Sequence, residues 1–299
     1  MRYLAGNWSF DPFLLLAAVA VAAHEVGLAR LTRLSFPRDA RLRRARSALF
    51  YAGLVTCVLA AASPLDYWGG RYFFAQTAQT LLLAFAGPAL IVAGAPWRPL
   101  RYSLPGRLRP DPVRELLVPP RSGRGWRLIR RVARPWVVVA GFNLILVGWY
   151  LRWPFELAAT NRLAHVWLLH VSLIAAGILF WFNFIGSPPL RARLSPAAKI
   201  AVVLATDQAM SLLAMALTIF SRSSWYPVYA HVPAVTLDPF TGQRTGAALL
   251  FACVDFWTGL SLIVIVWRMM RDDGDGLSAA IDRMLRRQPR VPDGQRYET

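Results

Sequence analysis

FAQTAQTLLLAFAGPALIVAGA, residues 74–95, decides the fold class. The stretch carries no charged side chain, and a helix needs about 20 such residues to cross roughly 30 Å of hydrocarbon. Its apolar residues form a block rather than a stripe, so no face is reserved for water. In hydrocarbon every backbone N–H and C=O must be satisfied within the segment, which makes the block a helix. Comparable blocks occur at 11–29, 47–64, 136–151, 162–185, 198–220 and 246–268. The reading is an all-α, polytopic membrane helix bundle of about seven transmembrane helices. Residues 1–270 form the membrane domain and 271–299 a tail. The block at 136–151 is the shortest and can extend toward Trp153. A hydrophobic content of 56% and a mean hydropathy of +0.39 exclude an ordinary water-soluble chain of 299 residues.

Lys and Arg number 34 against 16 Asp and Glu, a formal net charge of +18. Such an excess suits either nucleic acid or a topology signal. Its distribution decides for topology. Seven arginines lie between Arg30 and Arg46, and eleven between Arg98 and Arg134. Arg191, Arg193 and Lys199 form a third group, and seven more arginines follow from Arg268. These alternate segments hold 28 of the 34 basic residues, leaving only Arg2, Arg71, Arg152, Arg162, Arg222 and Arg244 for the other side. By the positive-inside rule, an odd number of spans then places the N-terminus outside and the C-terminus in the cytoplasm. Membrane lipid is the expected surroundings, and nucleic acid is not a partner. The opening MRYLAGNWSF lacks a basic start followed by a short apolar core, so it reads as the approach to an uncleaved first span.

The long basic loop contains Trp126–Val132, whose arginines set topology or lie on anionic headgroups. In the tail, Leu277, Ile281, Met284 and Leu285 share one helical face, the pattern of a short amphipathic helix resting on the membrane or on a partner. Cys57 and Cys253 sit inside apolar blocks and form no metal or disulfide motif.

Ionisable and amide side chains are costly inside hydrocarbon, so each needs a reason. The candidates are His24 and Glu25, then Gln76, Gln79 and Thr80, then His165 and His170, and finally Asp207 and Asp255. Apart from His24 and Glu25, they concentrate between the midplane and the outer face. Gln76 and Thr80, four apart, share a face, as do Asp207 and Met210, three apart. On a straight helix His165 and His170 stand roughly 140° apart, so at most one is expected to face a shared site. Interhelical hydrogen bonding accounts for the amides and Thr80. A buried carboxylate such as Asp207 or Asp255 must be protonated, paired or metal-bound.

The order of segments resembles the CtaG-type cytochrome c oxidase assembly factors of bacterial membranes. The resemblance is carried by ASPLDYWGGRYFFAQTAQTLLLAFAGPALIVAGAP, ending in Gly94-Ala95-Pro96, then by HVSLIAAGILFWFNFIGSPP, then by YPVYA and GQRTGAALLFACVDFW. It extends from about residue 20 to residue 270. It implies a seven-span protein of the bacterial plasma membrane, acting with a terminal oxidase subunit or another assembly factor, and handling copper. Family members usually carry a His-x-x-x-His pair where this chain has Gln76 and Thr80, while Gln79 and His170 match. Met210 stands where many relatives have histidine, Asp255 matches an acidic position, and Gly242 replaces an aspartate. This is a histidine-depleted member. Two expectations stay open: copper held differently, through His170 with Met210 and His165, or no copper and a scaffold role. A transporter or permease, suggested by Asp207 and Asp255, is the competing function, although no inverted repeat supports it. No nucleophile–base pair, phosphate loop or zinc motif points to an enzyme.

Overall fold

The computed structural model describes residues 8–9, 11–33, 40–105, 134–187, 194–232 and 237–286, with side chains left out at 231 and 271–286. Among these residues the chain is all-helical. Helix α1 (Phe13–Thr32) is followed by α2 (Ala40–Ala62), the short α3 (Pro64–Gly69), α4 (Phe73–Ala93) and α5 (Trp97–Ser103). Then come α6 (Pro135–Tyr150), α7 (Arg152–Thr160), α8 (Ala164–Phe184), α9 (Pro196–Thr218) and α10 (Pro239–Arg286).

Six of these helices are long and apolar enough to cross a membrane. The expected span at 136–151 is realised differently. It is the bent pair α6–α7, turned by 69° at Leu151, and the bundle has seven spans when that pair is taken as one. Leu151 is extended, with φ −69° and ψ 143°, and this breaks the hydrogen-bond ladder before α7 begins. The last helix runs unbroken to Arg286, so the tail segment expected to form a separate short helix continues α10 in its backbone. The loop segment Trp126–Val132 and the basic residues Arg191 and Arg193 lie outside the described residues.

Ser-Pro pairs start two of the helices. Ser63 Oγ accepts from Leu65 N ahead of α3, and Ser195 Oγ accepts from Ala198 N ahead of α9; in each case proline holds the first helical position. Helix α4 is the centre of the bundle, packed against α2, α8 and α10, while α9 pairs with α10 and α6 with α8. Close approach depends on a missing side chain at Gly177, where a Cβ would stand 2.4 Å from the Ala84 carbonyl oxygen of α4. Small residues serve helix pairs in this way where hydrocarbon gives no hydrophobic drive to associate. At Ala95, φ is 47°, a left-handed conformation that turns the chain sharply from α4 through Pro96 into α5.

Arg30, Arg43, Arg46 and Arg98 gather at one end of the bundle. Arg30 donates to the Tyr102 and Ser103 carbonyls at 2.9 Å each, tying α1 to α5. Arg43, Arg46 and Arg98 line one cavity with His24. His24 Nδ1 lies 2.7 Å from Tyr51 Oη, which also donates to Glu25, so this pair is held in a local hydrogen-bonded group near the basic end.

Candidate metal centre

At the far end, four segments distant in sequence converge: the start of α1, α3, the first turns of α4 and the start of α8. Asp66, on α3, is their common partner. Its Oδ1 accepts from His165 Nε2 at 2.8 Å and from Gln79 Nε2 at 2.9 Å, while Oδ2 accepts from Ser9 Oγ at 3.1 Å. Burial pushes the Asp66 carboxyl up, but the hydrogen bonds from His165 and Gln79 and the nearby imidazoles outweigh it and hold the group below the ordinary carboxylate value.

His165 and His170 meet at this site, contrary to the straight-helix expectation. Residues 164–170 form a π-helical turn, whose i→i+5 hydrogen bonding brings residues five apart onto nearly one face. Their rings lie 4.5 Å apart. Asn161 starts the turn by accepting from Leu163 N and Ala164 N. One turn of wide helix thus brings two imidazoles with an unfavourable spacing side by side.

His170 is 1% exposed and its partner Asp11 2%. Asp11 Oδ2 lies 3.1 Å from His170 Nδ1, and Asp11 Oδ1 accepts from Phe13 N, so one carboxylate joins the first residue of α1 to the imidazole. A carboxylate only accepts, which assigns the ring proton to Nδ1. That leaves Nε2 with a lone pair, and no donor among the described residues reaches it. It faces Asp66 Oδ1 across 3.9 Å. Gln79 Oε1 is likewise buried without a donor. Buried acceptors without partners are rare enough to require an explanation, a bound cation being one.

One ligand atom each from Asp66, His165 and His170 lies within 4.8 Å of the others. Bonds of about 2.0–2.1 Å put donors roughly 3–3.5 Å apart around a tetrahedral ion, so His170 Nε2 and Asp66 Oδ1, 3.9 Å apart, have to draw in, while His165 Nε2 and Asp66 Oδ1, 2.8 Å apart, have to open slightly. Imidazole nitrogen suits copper, zinc, iron and nickel alike, and the carboxylate adds a hard oxygen donor. The Asp11–His170 contact has the form of the carboxylate hydrogen bond that orients histidines in metal sites.

A cavity of about 310 Å³ opens beside the cluster, lined among others by Asp66, Gln76, Thr80, Arg162, His165 and Tyr229. The bent α7 supplies another wall through Phe155 and Ala158. Thr80 Oγ1 donates to the Gln76 carbonyl of its own helix, and Gln79 also donates to the Ala60 carbonyl of α2. Gln79 therefore makes the expected interhelical bond. Met210 does not join the lining: it is fully buried in the apolar core. Asp207 accepts from Thr258 Oγ1 at 2.9 Å and lies beside Asp255 on the α9–α10 pair, away from this cavity.

The geometry from α3 through α8 coincides with the segments whose order the sequence shares with oxidase assembly proteins. A family model described as cytochrome c oxidase caa3 assembly factor matches residues 22–272. The chain belongs to this caa3 assembly-factor family. No curated protein and no solved structure matches it significantly. Within the caa3 assembly-factor family segment lie Asp66, His165 and His170, while Asp11 precedes it. Both aspartates stand at the edges of spans, where a carboxylate is not costly, so cost carries no signal for them in the sequence. One signal was present: Asp66 follows the Ser63-Pro64 helix start and faces the same end as His165 and His170.

Proposed function

We propose that this chain serves assembly of a haem–copper cytochrome c oxidase as a non-enzymatic membrane factor that holds a copper ion on Asp66, His165 and His170. The observation that carries the reading is the buried His170 Nε2, oriented by Asp11, facing Asp66 and lacking a donor. Family membership supports the assembly role. The positive-inside rule puts the cluster on the outer side of the bacterial plasma membrane. In this reading His165 exchanges the proton it shares with Asp66 for the cargo ion, Asp11 keeps His170 in its ligating tautomer, and the adjoining cavity gives access to an oxidase subunit or another assembly factor.

The test is complementation of a chromosomal deletion, reading copper content and activity of the membrane oxidase. Wild-type protein is expected to restore both. A His165→Ala/His170→Ala double variant, present at normal abundance in the membrane, is expected to restore neither. Full restoration by that variant overturns the copper role, and normal oxidase in the deletion strain overturns the assembly role.

A further inference from the structure

A second cavity, of about 450 Å³, lies at the basic end between α4, α8, α9 and α10. Its wall is apolar, with Ala93, Phe184 and Leu260 among the lining. Two cations interrupt that wall, Lys199 from the first turn of α9 and Arg268 from α10. The lining contains no acidic residue, and among the described residues no carboxylate pairs with either cation. The positive end of the α9 helix dipole adds to the same potential, since Pro196 also lines the cavity.

Two like charges beside one apolar groove are a poor arrangement unless an anion joins them. Two indole rings form part of the apolar wall. Trp181 and Trp257 both line it, their rings 5.1 Å apart and edge to face, and neither indole N–H has an acceptor among the described residues. Trp181 is 5% exposed and stands one turn from the end of α8. Eleven residues of α10 separate Trp257 from Arg268, about 16 Å along the axis, which is close to the thickness of one leaflet's hydrocarbon.

We propose that this groove is a binding site for one anionic phospholipid. The phosphate sits on Lys199 and Arg268, and one acyl chain runs along the groove past Trp181 and Trp257. Phosphate supplies the missing negative charge, and the chain covers the apolar wall. A zwitterionic lipid brings an ammonium group to the same two cations and is disfavoured.

The test uses the full chain purified in mild detergent, offered equal amounts of phosphatidylglycerol and phosphatidylcholine with identical acyl chains. Retained lipid is read by native mass spectrometry. Wild-type protein is expected to keep one phosphatidylglycerol per chain and to prefer it roughly 30-fold, the combined effect of two basic groups near a headgroup. Lys199→Gln/Arg268→Gln is expected to abolish the preference. Ala93→Phe, which keeps both cations and fills the acyl path, is expected to lower retention of both lipids without lowering the melting temperature. Equal retention of the two lipids by wild-type protein overturns the proposal, as does an undiminished preference in the double variant or undiminished retention in Ala93→Phe. None of these readouts involves copper, so this site and the assembly role stand or fall separately.

Discussion

Two groups of ionisable side chains in this bundle are built in opposite ways. Asp66, His165 and His170 come from α3 and α8, are braced by Asp11 from the start of α1 and Gln79 from α4, and adjoin a cavity. Asp207 and Asp255 come from two helices already paired, α9 and α10, and Asp207 takes its hydrogen bond from Thr258 on the same pair. Asp255 is exposed on the flank of the bundle. In the first group many elements hold a few groups in place and one imidazole nitrogen is left over. In the second the polar atoms attend to each other. Convergence with an unfilled valence, rather than an ionisable residue in a span, separates a candidate binding centre from a polar contact.

Substitutions break or sharpen that contrast. His170→Ala is expected to have the largest effect, lowering copper affinity by more than roughly 100-fold, beyond the range for losing an outer-shell partner. Isothermal titration of the detergent-solubilised protein with copper measures it. Asp11→Asn leaves all three donors in place but weakens the hold on the His170 tautomer, and a loss of roughly 10–100-fold is expected in the same titration. Gln79→Leu removes a donor to Asp66 and one to the Ala60 carbonyl. It is expected to weaken copper by roughly tenfold and to cost about 1–3 kcal/mol of stability, read as a lower midpoint in thermal unfolding. The smallest effect belongs to Asp255→Asn, for which copper affinity is expected to stay within about twofold, as for sites that share no partners. A tenfold loss there would erase the distinction between the two groups.

Much of the fold was legible because hydrocarbon is a simple solvent. Blocks such as 74–95 and 198–220 read directly as spans, and the structure places α4 and α9 within two residues of those bounds. The bend at Leu151 was less visible, since an extended residue between two helical apolar segments leaves little trace in composition. The site was legible in part. His165, His170, Gln76, Gln79 and Thr80 were recognisable as polar residues in costly places, and all five sit in or beside the far-end cluster. Two things hid the rest. Asp66 and Asp11 lie at span edges, where a carboxylate attracts no suspicion. The π-helical turn at 164–170 changes which residues share a face, and ideal helical spacing separates His165 from His170. Met210, a plausible sulfur ligand by position, is enclosed in the core and does not line the cavity beside the cluster.

The most direct test is metal stoichiometry. Full-length protein is loaded with copper, stripped of loosely bound ion by gel filtration, and assayed for copper per chain beside His170→Ala. One tightly held copper per wild-type chain, lost in the variant, is the expected result. Wild-type protein that retains no copper, or a variant that retains as much as wild type, contradicts a copper centre on Asp66, His165 and His170.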